Sequence, residues 1–313
     1  MLKINPLSTL YVGIDVSSKS NYVCALDFYK NKYINSSFAN NQPGAEELAL
    51  KILECLKEHP DITTIVAALE STSVYSIHIA NYLSSCEELM RFKPYVFVLN
   101  PKCTANYKKS YIGLGKSDPI DAFVIADYAR AGNIESEPWR GSQFLALKRL
   151  TRHRLHLVEC MTREKTYLVS NLYLKFSELQ MLEGDDQPFC DIYGATSSSV
   201  LMEYFSPEEI LDSSEEDLIA FLAKKSRNRI KDISKTADLL KKAARDSYRL
   251  DKALYEPLNV SIASSFNCIE TFKREIKVID NAIEKEIKGL NPNAFIILQS
   301  IDGIGPVFAG GII

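Results

Sequence analysis

Apolar positions change their period partway along the chain. In roughly the first 135 residues they form short runs separated by turn residues; from about residue 143 they recur at helical spacing over tens of residues. The run 9–16 is apolar and rich in β-branched residues, and a polar turn, Ser17-Ser18-Lys19-Ser20-Asn21, follows it. Runs 22–28 and 32–38 come next, so three neighbouring strands are expected. Pro43-Gly44 breaks the pattern, and 45–58 then carries Leu48, Ile52, Leu53 and Leu56 at helical spacing. Pro60-Asp61 stops that helix, and 62–69 reads as a buried strand ending in Glu70. A second helix is expected over 71–83, with Ser71 or Thr72 as its N-cap. Another strand, 95–99, ends at Asn100-Pro101. Asp118 then suits an N-cap and Pro119 the first position of a helix running to Arg130. The order is βββ-α-β-α-β-α, an α/β layer fold.

The second half reads as helical. The span 143–182 has no internal Gly or Pro, and Leu147, Val158, Met161, Leu168, Leu172 and Leu179 approximate a heptad seam, like that of a coiled coil. Residues 183–199 are rich in Gly, Asp and Ser and read as a loop; Ser213-Ser214-Glu215-Glu216 opens a short helix with capping-box features. A second long helix is expected over 259–290, where Ile262, Phe266, Ile269, Phe272, Ile276, Ile279, Ile283 and Ile287 share one face. It should pack on the first long helix or on a second subunit. In 298–313, Gly303 and Gly305 lie between two apolar helical turns, a pattern similar to the hairpin of helix-hairpin-helix modules, where backbone N–H groups hold a DNA phosphate. The sequence stops inside the second of those turns, so its apolar face is expected to lack a partner, and a C-terminal truncation is expected.

Composition narrows the function classes. With 313 residues the chain has room for two or more domains, and 46% hydrophobic with 25% charged residues is ordinary globular composition. No apolar run reaches membrane-spanning length and the N-terminus has no signal-peptide pattern, so a cytoplasmic protein without a membrane partner is expected. The seven cysteines are scattered without Cys-x-x-Cys spacing, and there are only four histidines. That argues for reduced thiols and against a zinc site. The net charge of −3 does not announce a nucleic-acid binder, so any such role must come from local segregation of charge. Two segments show it. Between 140 and 165, at the start of the first long helix, Arg140, Lys148, Arg149, Arg152, Arg154, Arg163 and Lys165 stand against Glu159 and Glu164 only. Between 224 and 249, ten Lys or Arg (Lys224, Lys225, Arg227 and Arg229 among them) face three acids, an excess of seven positive charges. Basic helices of this kind fit a phosphate backbone, although a solvated helix face has the same composition.

The candidate chemistry is acidic. Asp15 interrupts a strand that otherwise excludes charge, and an unpaired buried carboxylate is costly. It either caps the Ser17-Ser18 turn or has a cation, metal or donor network as partner. Glu70 falls at the C-terminal end of its strand, the edge where open α/β sheets place ligands. Asp118 and Asp121 are three apart at a helix start, so they share a face; each alone is also explained as a helix-capping acid. Four converging carboxylates would repel one another unless divalent cations sat among them, and hard oxygen ligands suit Mg²⁺ or Mn²⁺. Two such ions about 4 Å apart can activate a nucleophile and stabilise the leaving oxygen of a phosphodiester. Lys19 and Lys116 are candidates to touch phosphate oxygens, or are solvated lysines.

In order, the chain presents Tyr11-Val12-Gly13-Ile14-Asp15-Val16-Ser17-Ser18-Lys19, Ala68-Leu69-Glu70-Ser71-Thr72, Asn100-Pro101, Lys116-Ser117-Asp118-Pro119-Ile120-Asp121-Ala122 and Ile301-Asp302-Gly303-Ile304-Gly305-Pro306. This set resembles the DEDD transposases of bacterial insertion sequences, the family that includes the pilin-gene invertase Piv. The resemblance implies a RuvC-like, ribonuclease-H-like α/β catalytic domain over 1–138, a helical coiled-coil and basic region over 139–290, and the start of a C-terminal transposase domain over 291–313. It matches Asp15, Glu70, Asp118 and Asp121 to the four family acids as catalytic and metal-binding residues. It further implies DNA recombination guided by an element-encoded structured RNA that pairs with donor and target DNA, and a homo-oligomer, dimer or tetramer. The family's C-terminal domain supplies a serine that attacks DNA beyond the Gly-Ile-Gly hairpin. No serine here matches it, Ser300 included, so the chain as it stands is expected to bind RNA and DNA but to fail at strand exchange. Three other readings compete: a RuvC-like resolvase on branched DNA, an actin-like or sugar-kinase-like ATPase, and a non-enzymatic nucleic-acid scaffold. Gly13-Ile14-Asp15 resembles the first phosphate loop of the ATPases, but their second Gly-rich phosphate loop is not found.

Overall fold

The computed structural model describes residues 4–71 and 73–312; Thr72, one of the two expected caps, and Ile313 lie outside the described residues. The chain divides into two units, Met1–Leu145 and Ala146–Ile313.

The first unit is a mixed sheet between helices, in the order β1 (Thr9–Val16), β2 (Ser20–Leu26), β3 (Lys32–Ala39), α1 (Gln42–Glu58), β4 (Thr64–Glu70), α2 (Ser76–Ser85), α3 (Glu87–Met90), β5 (Pro94–Leu99), α4 (Pro101–Lys108) and α5 (Asp118–Arg130). The strands lie in the order β3-β2-β1-β4-β5. Short turns let β1, β2 and β3 pair antiparallel, whereas β4 and β5 return through helices and so run parallel to β1. This arrangement is compatible with a RuvC-like domain. Because side chains alternate across a strand, each strand feeds two cores. Leu10, Val12, Ile14, Ile65, Ala67 and Leu69 pack with Leu48, Ile52, Ile79 and Leu83 of α1 and α2. Tyr11, Cys24, Val66, Ala68 and Phe97 pack with Ala122, Ile125 and Ala126 of α5 on the opposite face. Asp15 and Glu70 have the strand parity of that α5 face.

Two boundaries differ from expectation. The second helix begins at Ser76, after Tyr75, which makes no side-chain capping bond, and not at Ser71. The Ser71 N–H instead bonds Leu99 O at 2.9 Å, and Ser73 is left-handed at φ 54°, so the chain continues the sheet edge before it turns. Asn100-Pro101 does not merely end a strand. Asn100 caps α4, its side chain accepting from the Lys102 N–H, and Pro101 stands at N1.

The second unit is helical. It comprises most of α6 (Ser142–Lys175), then α7 (Ala195–Glu203), α8 (Pro207–Asp212), α9 (Glu215–Ser226), α10 (Ile233–Asp246), α11 (Lys252–Leu290), α12 (Pro292–Gln299) and α13 (Pro306–Ile312). α6 and α11 pack antiparallel: Leu168 and Leu172 share a core with Ile262 and Phe266, and Leu147 shares one with Ile283 and Ile287. The first long helix ends at Lys175, short of 182, and Val158 and Met161 of its seam are only half-buried. A 3-10 turn, Ser177–Gln180, follows, and it inserts Leu179 into the core. The span read as a loop contains the start of α7, whose C-terminal carbonyls Lys175 caps from within. Its ammonium donates to Leu201 O at 2.7 Å and Tyr204 O at 2.6 Å. The last helix is not without a partner: Ala309 and Gly310 are buried, Gly310 against Ile283 and Ile287. Among the described residues no helix is long and apolar enough to cross a membrane, and all seven cysteines are free thiols.

The closest approach in the first unit is between β1 and α5. A Cβ added at Gly13 would sit 2.2 Å from Ala122 O and 2.3 Å from Ala126 N. These are backbone atoms, so no rotamer change relieves the overlap. Gly13→Ala is expected to cost about 1–3 kcal/mol or more by forcing α5 off the sheet; denaturant unfolding of the two proteins measures it.

Candidate functional site

Register carries two of the acids to one place. β1 and β4 pair in parallel up to Ile14 and Leu69, so Asp15 and Glu70, the next residue on each, leave neighbouring strands side by side on one face. α5 crosses that face against Gly13, and its first turns carry Asp118 and Asp121 over the same strand end. Ser117, not Asp118, is the N-cap: its carbonyl accepts from the Ile120 and Asp121 N–H groups at 2.9 Å, and Asp118 opens the helix. The electrostatics record the convergence. Burial, then the charges of Asp121, Asp118 and Glu70, push the Asp15 carboxyl up to about 6, and Lys108 opposes them.

α4 supplies what balances the acids. Lys108 Nζ lies 2.5 Å from Asp121 Oδ1, and the Thr104 hydroxyl donates to Glu70 Oε1. As they stand, no three His, Cys, Asp or Glu side chains among the described residues close round a point where a metal ion would sit. The acids are near enough to feel one another's charge, with one of them held by a lysine. α4 is itself pinned through a buried acid. Asp127, fully buried on α5, accepts from Tyr107 at 2.8 Å, from Arg130 at 2.6 Å and from the Tyr111 hydroxyl, and pairs with Lys30 at 3.2 Å. Burial alone would raise the Asp127 carboxyl; these hydrogen bonds outweigh it and hold it below its ordinary range.

Thr104, Lys108, Tyr107, Tyr111 and Asp127 were not singled out from the sequence. A signal was present: Asn100-Pro101 is a helix start, after which Thr104 and Lys108, four apart, share one face.

The basic candidates sit apart from this chemistry in kind. Lys19, in the β1–β2 turn, and Lys116, before α5, are exposed. Arg149, Arg152 and Arg163 are exposed on α6, whereas Arg154 is paired with Asp280 of α11 at 2.5 Å. Lys224, Arg227 and Arg229 are exposed around the end of α9, where Arg227 takes the left-handed cap at φ 52°, and Lys225 is paired with Glu203. Gly303, left-handed at φ 87°, and Gly305 form the exposed turn between α12 and α13.

The model of the DEDD transposases of IS110 type, described as a transposase family, matches residues 12–177, just over half the chain. The chain belongs to this family. The matched span contains all four acids of the site and ends with α6, so the transposase assignment and the acid cluster coincide in sequence. No curated protein matches the chain. As an IS110-type transposase it is an enzyme of DNA transposition and recombination.

Ionised Asp15 should destabilise the metal-free transposase. The folded carboxyl keeps its proton to about pH 6, above the unfolded value of 3.8. Its contribution is therefore fully present below pH 4 and lost as pH rises through 6. With chelator at pH 7.5, Asp15→Asn is expected to unfold later than wild type by about 1–2 kcal/mol after allowance for solvent screening, the gap closing below pH 4. Paired denaturant titrations across that range check it.

Proposed function

We propose that this transposase is a divalent-metal-dependent DNA recombinase whose RuvC-like domain, residues 1–138, holds Mg²⁺ or Mn²⁺ between Asp15, Glu70, Asp118 and Asp121. The observation that supports the reading is geometric: β1–β4 register sets Asp15 beside Glu70, and α5, packed on Gly13, carries Asp118 and Asp121 in its first turns over the same strand end, close enough for their charges to raise the Asp15 carboxyl. The donor set fits the ion: four hard carboxylates whose mutual repulsion a divalent cation relieves. Bound there, the metal would supply activation of the attacking oxygen and stabilisation of the leaving oxygen of a phosphodiester. Lys108 holds Asp121 while the cluster is metal-free, and its ammonium, once released, is positioned for a phosphate oxygen. Thr104 orients the Glu70 carboxylate. Lys19 and Lys116 flank the acids as phosphate contacts.

On this reading residues 139–290 form a helical, coiled-coil and basic region, and 291–313 belong to a transposase domain whose Gly303–Gly305 turn approaches a phosphate. Arg149, Arg152, Arg163, Lys224, Arg227 and Arg229 meet nucleic-acid backbone; Arg154 and Lys225 do so only on leaving Asp280 and Glu203. The partners are DNA and a structured guide RNA, the latter resting on the family resemblance, in a cytoplasmic homo-oligomer.

The test is DNA strand cleavage with and without Mg²⁺ or Mn²⁺. Wild type is expected to cut only with metal, and Asp15→Asn and Asp121→Asn to lose about 10²–10³-fold or more. Metal-independent nucleic-acid binding without cleavage, or ATP turnover in place of cleavage, would overturn the reading.

A further inference from the structure

The nine residues joining α4 to α5 begin and end at the acid cluster. Lys108, the last residue of α4, bonds Asp121, and Asp118 opens α5. Between them the chain reads Lys109-Ser110-Tyr111-Ile112-Gly113-Leu114-Gly115-Lys116-Ser117. From Pro101 to Ser117 there are four lysines and no acid, in a chain of net charge −3. This is the opposite sign from the carboxylates the segment borders.

The loop also carries an apolar tip with no place in a core. Ile112 is 102% exposed and Leu114, two residues on, is 36% exposed. Single exposed aliphatics are common on surfaces. This one differs in how it is held. Tyr111, the preceding residue, gives its hydroxyl to the fully buried Asp127. Its ring packs edge-on to Tyr107 and Phe123, with centroids 5.8 Å and 6.1 Å away. Gly113 follows in the left-handed region at φ 80°, so the chain reverses at once. The side chain between a buried anchor and a glycine turn therefore points into solvent from a fixed base. Lys109 and Lys116 are exposed on either side of it, and Lys116 has no ion pair among the described residues.

A duplex whose scissile phosphate reached the acids would lie against this loop. Lysines would meet its backbone, and the apolar tip is of the type that wedges between base steps, partly unstacking them. We propose that loop 109–117 is a DNA wedge: Ile112 inserts between bases beside the phosphate presented to the acid cluster, and Lys109 and Lys116 hold the flanking backbone. This rests on the transposase reading above and adds to it how the strand is opened at the site.

The experiment uses the full chain with Ca²⁺ in place of Mg²⁺ and duplexes carrying 2-aminopurine at successive steps, whose fluorescence rises on unstacking. Wild type is expected to raise the signal several-fold at one or two adjacent steps. Ile112→Ala, at a wholly exposed position, should fold as wild type by circular dichroism and bind within about threefold. It should lose most of the rise, and Ile112→Leu should restore it. Lys109→Ala combined with Lys116→Ala should weaken binding on every sequence and reduce the slope of log affinity against log salt by about 2. An undiminished signal with Ile112→Ala, or an unchanged salt slope in the lysine variant, overturns the wedge while Mg²⁺-dependent cleavage by wild type leaves the transposase reading standing. Effects confined to a labelled RNA duplex or hairpin, with DNA untouched, overturn it in favour of an RNA contact. Failure of wild type both to bind and to cut DNA removes the wedge and, with it, the proposed metal-dependent recombinase function.

Discussion

A missing side chain at the middle of β1 sets how near a helix can come to the sheet. At Gly13 the backbone of α5 occupies the space where any Cβ would stand. The contact is backbone on backbone, so its geometry is stiff, and it fixes the height of α5 over the strand whose next residue on that face is Asp15. Asp118 and Asp121 inherit their position from it. The strand register does the same for Glu70, because parallel pairing of β1 with β4 leaves no freedom of one residue without turning Glu70 to the other face. Two local constraints, one steric and one of register, therefore bring acids from three distant parts of the sequence to one strand edge.

That convergence has an electrostatic cost, which the first unit meets with its own residues. Lys108 neutralises Asp121, Thr104 donates to Glu70, and the buried Asp127 network fastens the helix that carries both. Asp15 is left with burial and three like charges, and its carboxyl rises accordingly. The same α4 runs into a basic loop with an apolar tip, so the segment that balances the acids continues into the loop that returns to Asp118. A cation binding among the carboxylates would compete with Lys108 for Asp121, which couples the state of the site to the position of α4.

Much of this was legible in the residues. The strand runs, the helix over 118–130 and the two long amphipathic helices follow from periodicity, because burial of one face selects those periods; whether the two helices pack on each other or on a second subunit is left open by it. The four acids were legible only as an ordered set, since each alone is equally a cap or a surface residue. What the sequence did not reveal depends on tertiary contact. Asn100-Pro101 reads as a strand stop as readily as a helix start, and choosing the stop hid α4, Thr104 and Lys108. Asp127 looks like one polar residue in an apolar helix until Tyr107, Tyr111, Lys30 and Arg130 arrive from elsewhere in the chain. The last helix was expected to lack a partner because so little of it follows the Gly303–Gly305 turn; Ile283 and Ile287, far from it in sequence, bury Ala309 and Gly310.

The central claim is that these carboxylates form one cation-holding centre. Anomalous scattering from crystals grown with Mn²⁺ tests it most directly. The account predicts a manganese peak in contact with Asp15 and with at least one of Asp118 and Asp121, and Lys108 displaced from Asp121. Manganese bound elsewhere, with Asp15 turned from the α5 acids and Lys108 still on Asp121, would contradict it.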